Sequence, residues 1–78
     1  MKPYYSKNLF IKNFNKPIKV DAKIRYKQEL SKATIYPPKK GQMRIVFENP
    51  QRAVTLGQFA TFYKKDRCLG SGRIIQTL

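Results

Sequence analysis

The chain has 78 residues, of which 17 are Lys or Arg and four are Asp or Glu, so its formal net charge at pH 7 is +13. A chain of this length forms one small domain with a thin core, which leaves little apolar material for an active-site cleft of its own. With no histidine and one cysteine, it lacks the ligands of a metal site and the partner for an internal disulfide.

The first half of the chain predicts two or three strands. Residues 1–6 are expected to be extended, and Asn8 to Phe14 is predicted as a strand that ends at the turn signal Asn15-Lys16-Pro17. From Ile18 to Lys27 apolar and charged residues alternate without a break, as in a strand buried on one side. The inward set of this strand is Ile18, Val20, Ala22, Ile24 and Tyr26.

The rest of the chain continues with short segments of strand character. These segments are Lys32–Tyr36, Met43–Phe47, Phe59–Tyr63, Arg67–Leu69 and Arg73–Leu78. Pro37–Gly41, Asn49–Arg52 and Lys64–Asp66 predict turns between them, and Gly70-Ser71-Gly72 predicts a kink or bulge. No helical apolar stripe exceeds two turns. The chain is therefore predicted to be all-β, a small antiparallel barrel of six to seven strands.

The excess of basic residues predicts an anionic partner, for which nucleic acid fits best and an anionic membrane surface less well. A cationic surface that serves only solubility is the alternative. No apolar stretch approaches the roughly 18–20 residues of a membrane span, and the first residues lack the apolar run of a signal peptide. We therefore expect a cytoplasmic protein that does not associate with membranes.

Three motifs occur in order along the chain. Lys23 to Gln28 reads KIRYKQ, Phe47 to Gln58 reads FENPQRAVTLGQ, and Phe62-Tyr63 is followed by Asp66-x-Cys68-Leu69-Gly70-x-Gly72. Together they resemble the C-terminal domain of the bacterial tRNA-specific 2-thiouridylase family, which has a "KIRYRQ" strand, then a run of an apolar residue, an acid, any residue and PQRAVTPGQ, and a similar closing stretch. Leu56 stands where the family usually has Pro, and residues 5–10 resemble the segment that leads into the domain.

The resemblance implies a fold similar to translation-factor barrels, with residues 1–7 leading in from a missing central domain and residues 8–78 forming the barrel. It also implies a parent enzyme that adenylates the wobble uridine of certain tRNAs with ATP and replaces its C2 oxygen with sulfur from a persulfide donor. In the family, that chemistry belongs to an N-terminal ATP-pyrophosphatase domain and to cysteines outside the barrel. Members of the family formerly had a methyltransferase name, but no residue of this chain suggests a site for a methyl donor. The barrel is thus expected to bind tRNA, to hold no cofactor or metal and to contain no catalytic residue.

Candidate RNA-binding residues follow from charge and spacing. Lys19, Lys23, Arg25 and Lys27 would stand on one strand face about 6.5–7 Å apart, close to the phosphate spacing of a nucleic-acid strand. An ordinary solvated face is the alternative. Arg52 also has the reach to contact RNA. Its neighbours in the motif are predicted to be structural, together with the later glycines: Pro50, Gln51, Gly57, Gly70 and Gly72.

Aromatic side chains have two possible roles, base stacking and core packing. Tyr4, Tyr5, Phe14 and Tyr36 are candidates for stacking, particularly the tyrosines near lysines. The expected core comprises Phe10, Phe47, Phe59 and Phe62, and Cys68 is predicted to be buried with them rather than to carry sulfur.

Two other functions stay open at this point. The chain could be a freestanding RNA-binding barrel of the translation apparatus. It could also be a structural lid that docks on the catalytic domain through Tyr4, Tyr5 and the first strand.

Overall fold

The structure, a computed structural model, describes residues 4–11, 14–24, 30–49, 51 and 54–77 of the chain. Its strands are β1 (Tyr4–Ile11), β2 (Ile18–Lys23), β3 (Ser31–Ile35), β4 (Met43–Phe47), β5 (Phe59–Lys64) and β6 (Arg67–Thr77). They pair antiparallel in the order β1-β4-β3-β2-β5-β6, and the sheet closes on itself. The predicted all-β fold, a small antiparallel barrel, is therefore confirmed with six strands.

Alternating side chains fill the barrel, as the sequence pattern requires. On β2, Val20 and Ala22 are buried, and Ile24 just beyond the strand is buried as well. Lys19 before them is exposed, and Asp21 and Lys23 between them are half-buried. Tyr26, assigned to the same inward face, lies outside the described residues. The buried apolar set is Val20, Ala22, Ile24, Ala33, Ile35, Met43, Ile45, Phe47, Ala60, Phe62 and Ile74. Of the four phenylalanines expected in the core, Phe47 and Phe62 are among them, whereas the side chain of Phe10 lies outside the described part of the structure.

Strand β1 begins at Tyr4, four residues earlier than the predicted start at Asn8. Tyr4, Tyr5 and Ser6 pair with β4 on one side and with β6 on the other. The ring of Tyr4 packs edge-on against Phe47 with 5.7 Å between centroids, and Ser6 is buried. These three residues close the barrel, because they carry all of the pairing between β1 and β4.

Two tight turns need backbone in the left-handed region. Lys40 and Gly41 have φ of 55° and 78°, and Lys39 and Gln42 on either side exchange both backbone hydrogen bonds. Positive φ at both central residues is the type I′ geometry that matches the twist of paired strands. Between β5 and β6 the two-residue turn has Lys65 at φ 56°. The turns predicted at Pro37–Gly41 and at Lys64–Asp66 are therefore confirmed, and the first is centred on the last two residues of its range.

Phe59 was predicted to lie in the core and is 52% exposed. Ala60 and Phe62 take the inward face of β5 and are fully buried. Because side chains alternate with period two, a residue three positions from Phe62 must face outward.

Cys68 was predicted to be buried and is exposed. Gly70 pairs with Phe62, but Cys68 pairs with Tyr63, so β6 has one extra residue, Leu69, at this point. A one-residue bulge moves all later side chains to the opposite face. Without it, Cys68 would lie on the inward face shared by Gly70, Gly72 and Ile74, which are all buried.

Candidate nucleic-acid interface

Two of the five predicted RNA-binding residues lie in the part of the chain that the structure describes. Lys19 is exposed and Lys23 half-buried, and both point outward from β2, as the alternation predicted. Arg25, Lys27 and Arg52 lie outside the described residues, as does Pro50 of the structural motif. Whether Lys19 and Lys23 contact RNA stays a prediction.

The other members of the structural motif occupy three places. Gln51 donates a hydrogen bond from Nε2 to the Asn49 carbonyl oxygen at 3.0 Å. Gly57 lies in the turn before β5 with φ 90°, and its N–H donates to the Ile74 carbonyl at 2.8 Å. Gly70 and Gly72 are buried within β6, opposite Phe62 and Ala60 respectively.

Lys19 borders a shallow groove of about 270 Å³ on the outer surface of β2, β3 and β5. We call it the lysine groove. It gathers cations from separate parts of the sequence because β2 pairs with both β3 and β5. Two acids lie among the cations, and Asp21 is the direct cross-strand neighbour of both Lys32 and Tyr63. The groove is lined by Lys19, Val20, Asp21, Lys32, Ala33, Glu48, Tyr63, Lys64 and Lys65.

A larger groove of about 510 Å³ lies where β1, β4 and the hairpin between β3 and β4 meet. We call it the tyrosine groove. Tyr5 stands opposite Arg44 across β1 and β4, and the Tyr36 N–H donates to the Arg44 carbonyl at 3.0 Å. The lining residues are Tyr5, Tyr36, Pro37, Lys39, Lys40, Gln42 and Arg44. Among the residues that the structure describes, the lining includes two aromatic rings and three cations but no acid.

Arg44 and Tyr36 form a cation–π pair in this groove. The guanidinium carbon lies 4.0 Å from the centroid of the Tyr36 ring, well inside the roughly 6 Å within which such pairs attract. Arg44 is nevertheless exposed and Tyr36 half-buried. The contact with Tyr36 therefore holds the flat, charged guanidinium of Arg44 in place at the surface.

The two grooves adjoin along the outer face of β3. Lys32 lines the lysine groove, Tyr36 lines the tyrosine groove, and Thr34 lies between them on the same outward face. At about 3.3–3.4 Å per residue, the four residues from Lys32 to Tyr36 span roughly 13 Å. A single polyanion can therefore run across both grooves.

The described residues offer no arrangement for metal or acid–base chemistry. No group of three potential metal ligands occurs within them. Their acids are Asp21, Glu48 and Asp66, and only the first two share a groove. No helix in the described ranges has the length and apolar character to cross a membrane. Cations beside aromatic rings suit binding of a polyanion.

Charge spacing along one strand did not identify most of this surface. Lys32, Lys64 and Lys65 join Lys19 only through strand pairing, and Arg44 joins Tyr36 only through the hairpin. The sequence did contain one signal for the Tyr36–Arg44 pair. If Lys40-Gly41 is taken as a two-residue hairpin turn, the pairing of the flanking strands places Arg44 about one residue from the position directly opposite Tyr36. Tyr5 and Tyr36 had been considered for stacking, but Arg44, Lys39 and Lys40 had not.

Known proteins match the chain over nearly its whole length. The family described as the aminomethyltransferase beta-barrel domain matches residues 4–74. The tRNA-specific 2-thiouridylase MnmA of Clostridium acetobutylicum is 49% identical over 70 residues, which are 87% of this chain and 20% of that protein. The proteins of the same name from Halalkalibacterium halodurans and Legionella pneumophila are 44% and 45% identical over 64 and 62 residues. These matches cover 82% and 80% of the chain and 17% of each relative.

The chain thus spans about a fifth of the length of the curated relatives it matches. The matched residues 4–74 include all of β1 to β5 and most of β6. The chain therefore belongs to the aminomethyltransferase beta-barrel domain family, as a C-terminal barrel domain of the tRNA-specific 2-thiouridylase type.

Proposed function

We propose that this barrel is an accessory domain that holds tRNA for a 2-thiouridylase and takes no part in the chemistry itself. The observation that carries the proposal is the pair of adjoining grooves, which together present seven Lys and Arg side chains and only two acids. Phosphates supply most of the affinity in such complexes, because cations displace the counterions condensed on the nucleic acid. The names of the relatives specify tRNA as the nucleic acid on which those enzymes act.

In this proposal the chemistry belongs to the rest of a longer parent enzyme. An N-terminal ATP-pyrophosphatase domain would use ATP to activate the wobble uridine of tRNA, and a persulfide would deliver the sulfur. A central domain would connect it to the barrel. The barrel contributes cations and aromatic rings that keep the tRNA bound while another part of the enzyme reacts with it.

The test is the affinity of the 78-residue chain for tRNA, measured by fluorescence anisotropy in low salt. The variant Lys19→Glu/Lys32→Glu reverses two cations of the lysine groove and lowers the net charge from +13 to +9, because each substitution removes two positive units. The matched control is Lys7→Glu/Lys16→Glu, which causes the same change at two exposed residues outside both grooves.

We expect the groove variant to lose at least about ten-fold in affinity, since each lost phosphate contact removes a released counterion. The control should lose only the small amount due to net charge. Equal losses in the two variants would mean that charge acts without a defined site. A chain that binds no tRNA even at low salt would contradict the proposal and favour the structural lid.

A further inference from the structure

We infer that the tyrosine groove binds one unpaired nucleotide of the RNA. Its base would lie flat against Tyr5 and the Arg44–Tyr36 pair, and its phosphate would lie against Lys39 and Lys40. This inference rests on the proposed function, because it names the part of an RNA that the barrel takes and the side chains that take it.

The first argument is the aromatic and guanidinium surface. Unpaired bases are recognised by stacking on aromatic rings or on the plane of an arginine. Arg44 is fixed over Tyr36 at 4.0 Å, and Tyr5 stands next to it across β1 and β4. Among the described residues no ring or cation stacks on Tyr5. A base placed here meets flat groups that are already positioned by the strands.

The second argument is charge. Lys39 and Lys40 lie at the hairpin next to the rings, and with Arg44 they give the groove three cations and no acid among its described lining residues. The lysine groove differs, because Asp21 and Glu48 offset part of its charge. The tyrosine groove therefore provides both elements of a nucleotide site, a flat apolar surface and a cluster of cations for phosphate.

The third argument concerns shape and size. The groove has a volume of about 510 Å³, within the range of about 300–1,000 Å³ typical of sites for small organic ligands. Bases in a duplex are stacked inside the helix and do not reach such a groove, whereas bases in loops and bulges do. The site should accordingly select single-stranded RNA over paired RNA.

The experiment compares two probes that carry the same number of phosphates. One is a labelled single-stranded RNA of eight nucleotides, and the other is the corresponding abasic ribose-phosphate oligomer. Binding to the 78-residue chain is measured by anisotropy for the wild type, Tyr5→Ala, Tyr5→Phe and Arg44→Lys. The control is Phe59→Ala, which removes an exposed aromatic ring outside both grooves. Circular dichroism of each variant checks that the barrel is folded.

The wild type should bind the base-containing RNA at least about five-fold more tightly than the abasic oligomer, the lower limit expected for one stacked base. Tyr5→Ala and Arg44→Lys should each remove most of this difference, and Arg44→Lys does so with the charge retained. Tyr5→Phe should preserve the difference because it keeps the ring. Phe59→Ala should also leave the difference unchanged, because that ring lies outside both grooves.

Equal binding of the two probes by the wild type would overturn the nucleotide site and leave the proposed tRNA-binding function standing. The same conclusion would follow if Phe59→Ala reduced the difference as much as Tyr5→Ala. If the chain bound neither of the two probes and also did not bind tRNA at low salt, both proposals would be overturned together.

Discussion

At the scale of single residues, the turn Thr55–Gln58 contains Leu56, which stands where the family usually has Pro. The Gln58 N–H donates to the Thr55 carbonyl at 3.4 Å, the Gln58 Oε1 accepts from the Thr55 N–H at 2.8 Å, and Gly57 has φ 90°. Positive φ at the third residue alone is the type II geometry, in which Pro is favoured at the second position. Leu56 holds that position and is 63% exposed.

Leu56→Pro should therefore stabilise the domain. Proline restricts the unfolded chain to a backbone conformation that the turn already has, which is worth about 0.4–1 kcal/mol. Urea unfolding followed by circular dichroism should show the free energy of unfolding rising by that amount. A fall in stability would mean that the turn is not of this type.

Gly57→Ala is the companion substitution in the same turn. Apart from its two chain neighbours, no atom of the described residues lies within 4 Å of the position that a Cβ would take, so the expected cost arises from the left-handed backbone. We expect a loss of about 1–2 kcal/mol in the same unfolding measurement. An unchanged midpoint would show that the turn relaxes when the glycine is replaced.

Cys68 should behave as a surface thiol. Its outward position follows from the bulge at Leu69. In the folded protein it should therefore react with an aromatic disulfide reagent at a rate close to that of the urea-unfolded chain. Cys68→Ser should change stability by less than about 0.5 kcal/mol, as surface substitutions usually do. Strong protection of the thiol would contradict the bulge.

At the scale of secondary structure, closure of the barrel depends on the first residues of β1. A chain shortened to begin at Lys7 loses Tyr4, Tyr5 and Ser6, and with them all pairing between β1 and β4. It also loses the contact of Tyr4 with Phe47. We expect the shortened chain to lose its cooperative unfolding transition in urea, because β4 becomes an unpaired edge and the core opens.

A synthetic peptide of residues 1–6 serves as the control for this truncation. Added in excess, it should restore part of the transition if pairing along β4 is what the shortened chain lacks. A shortened chain with the same unfolding midpoint as the full chain would show that the barrel is stable without closure at β1.

Strands with strict alternation were predictable, and strands with irregular pairing were not. The bounds of β4 were predicted as observed, and the inward residues of β2 were identified as far as Ile24. The start of β1 was misplaced because Tyr4 to Ser6 find their partners 37 or more residues away, which no local pattern reveals. The glycines predicted a kink or bulge over Gly70–Gly72, but the extra residue is Leu69, one position earlier. Cys68 was misplaced because the local pattern does not say which residue of a bulge is the extra one.

The candidate site was predictable to the same limited extent. Period two identified the outward cations Lys19 and Lys23. The neighbours of Lys19 come from β3 and from the turn between β5 and β6, so the order of strands in the barrel had to be known first. Tyr5 and Arg44, 39 positions apart in the sequence, become neighbours only when the barrel closes.

At the scale of the whole molecule, a net charge of +13 on 78 residues gives long-range attraction to any polyanion. If the four lysines of the lysine groove each neutralise a phosphate, affinity should fall about 50- to 150-fold between 50 and 200 mM salt. Charge alone would act equally on RNA and DNA. Stacking in the tyrosine groove would add a contribution that salt hardly changes.

The most direct test of tRNA binding by the barrel is anisotropy of the 78-residue chain with labelled tRNA and with a DNA duplex of matched length, each at 50 and 200 mM salt. We expect both affinities to fall with salt and the preference for tRNA to persist at the higher concentration, because unpaired bases reach the tyrosine groove. Equal affinities for tRNA and duplex at both concentrations would contradict it and would reduce the role of the barrel to unspecific charge.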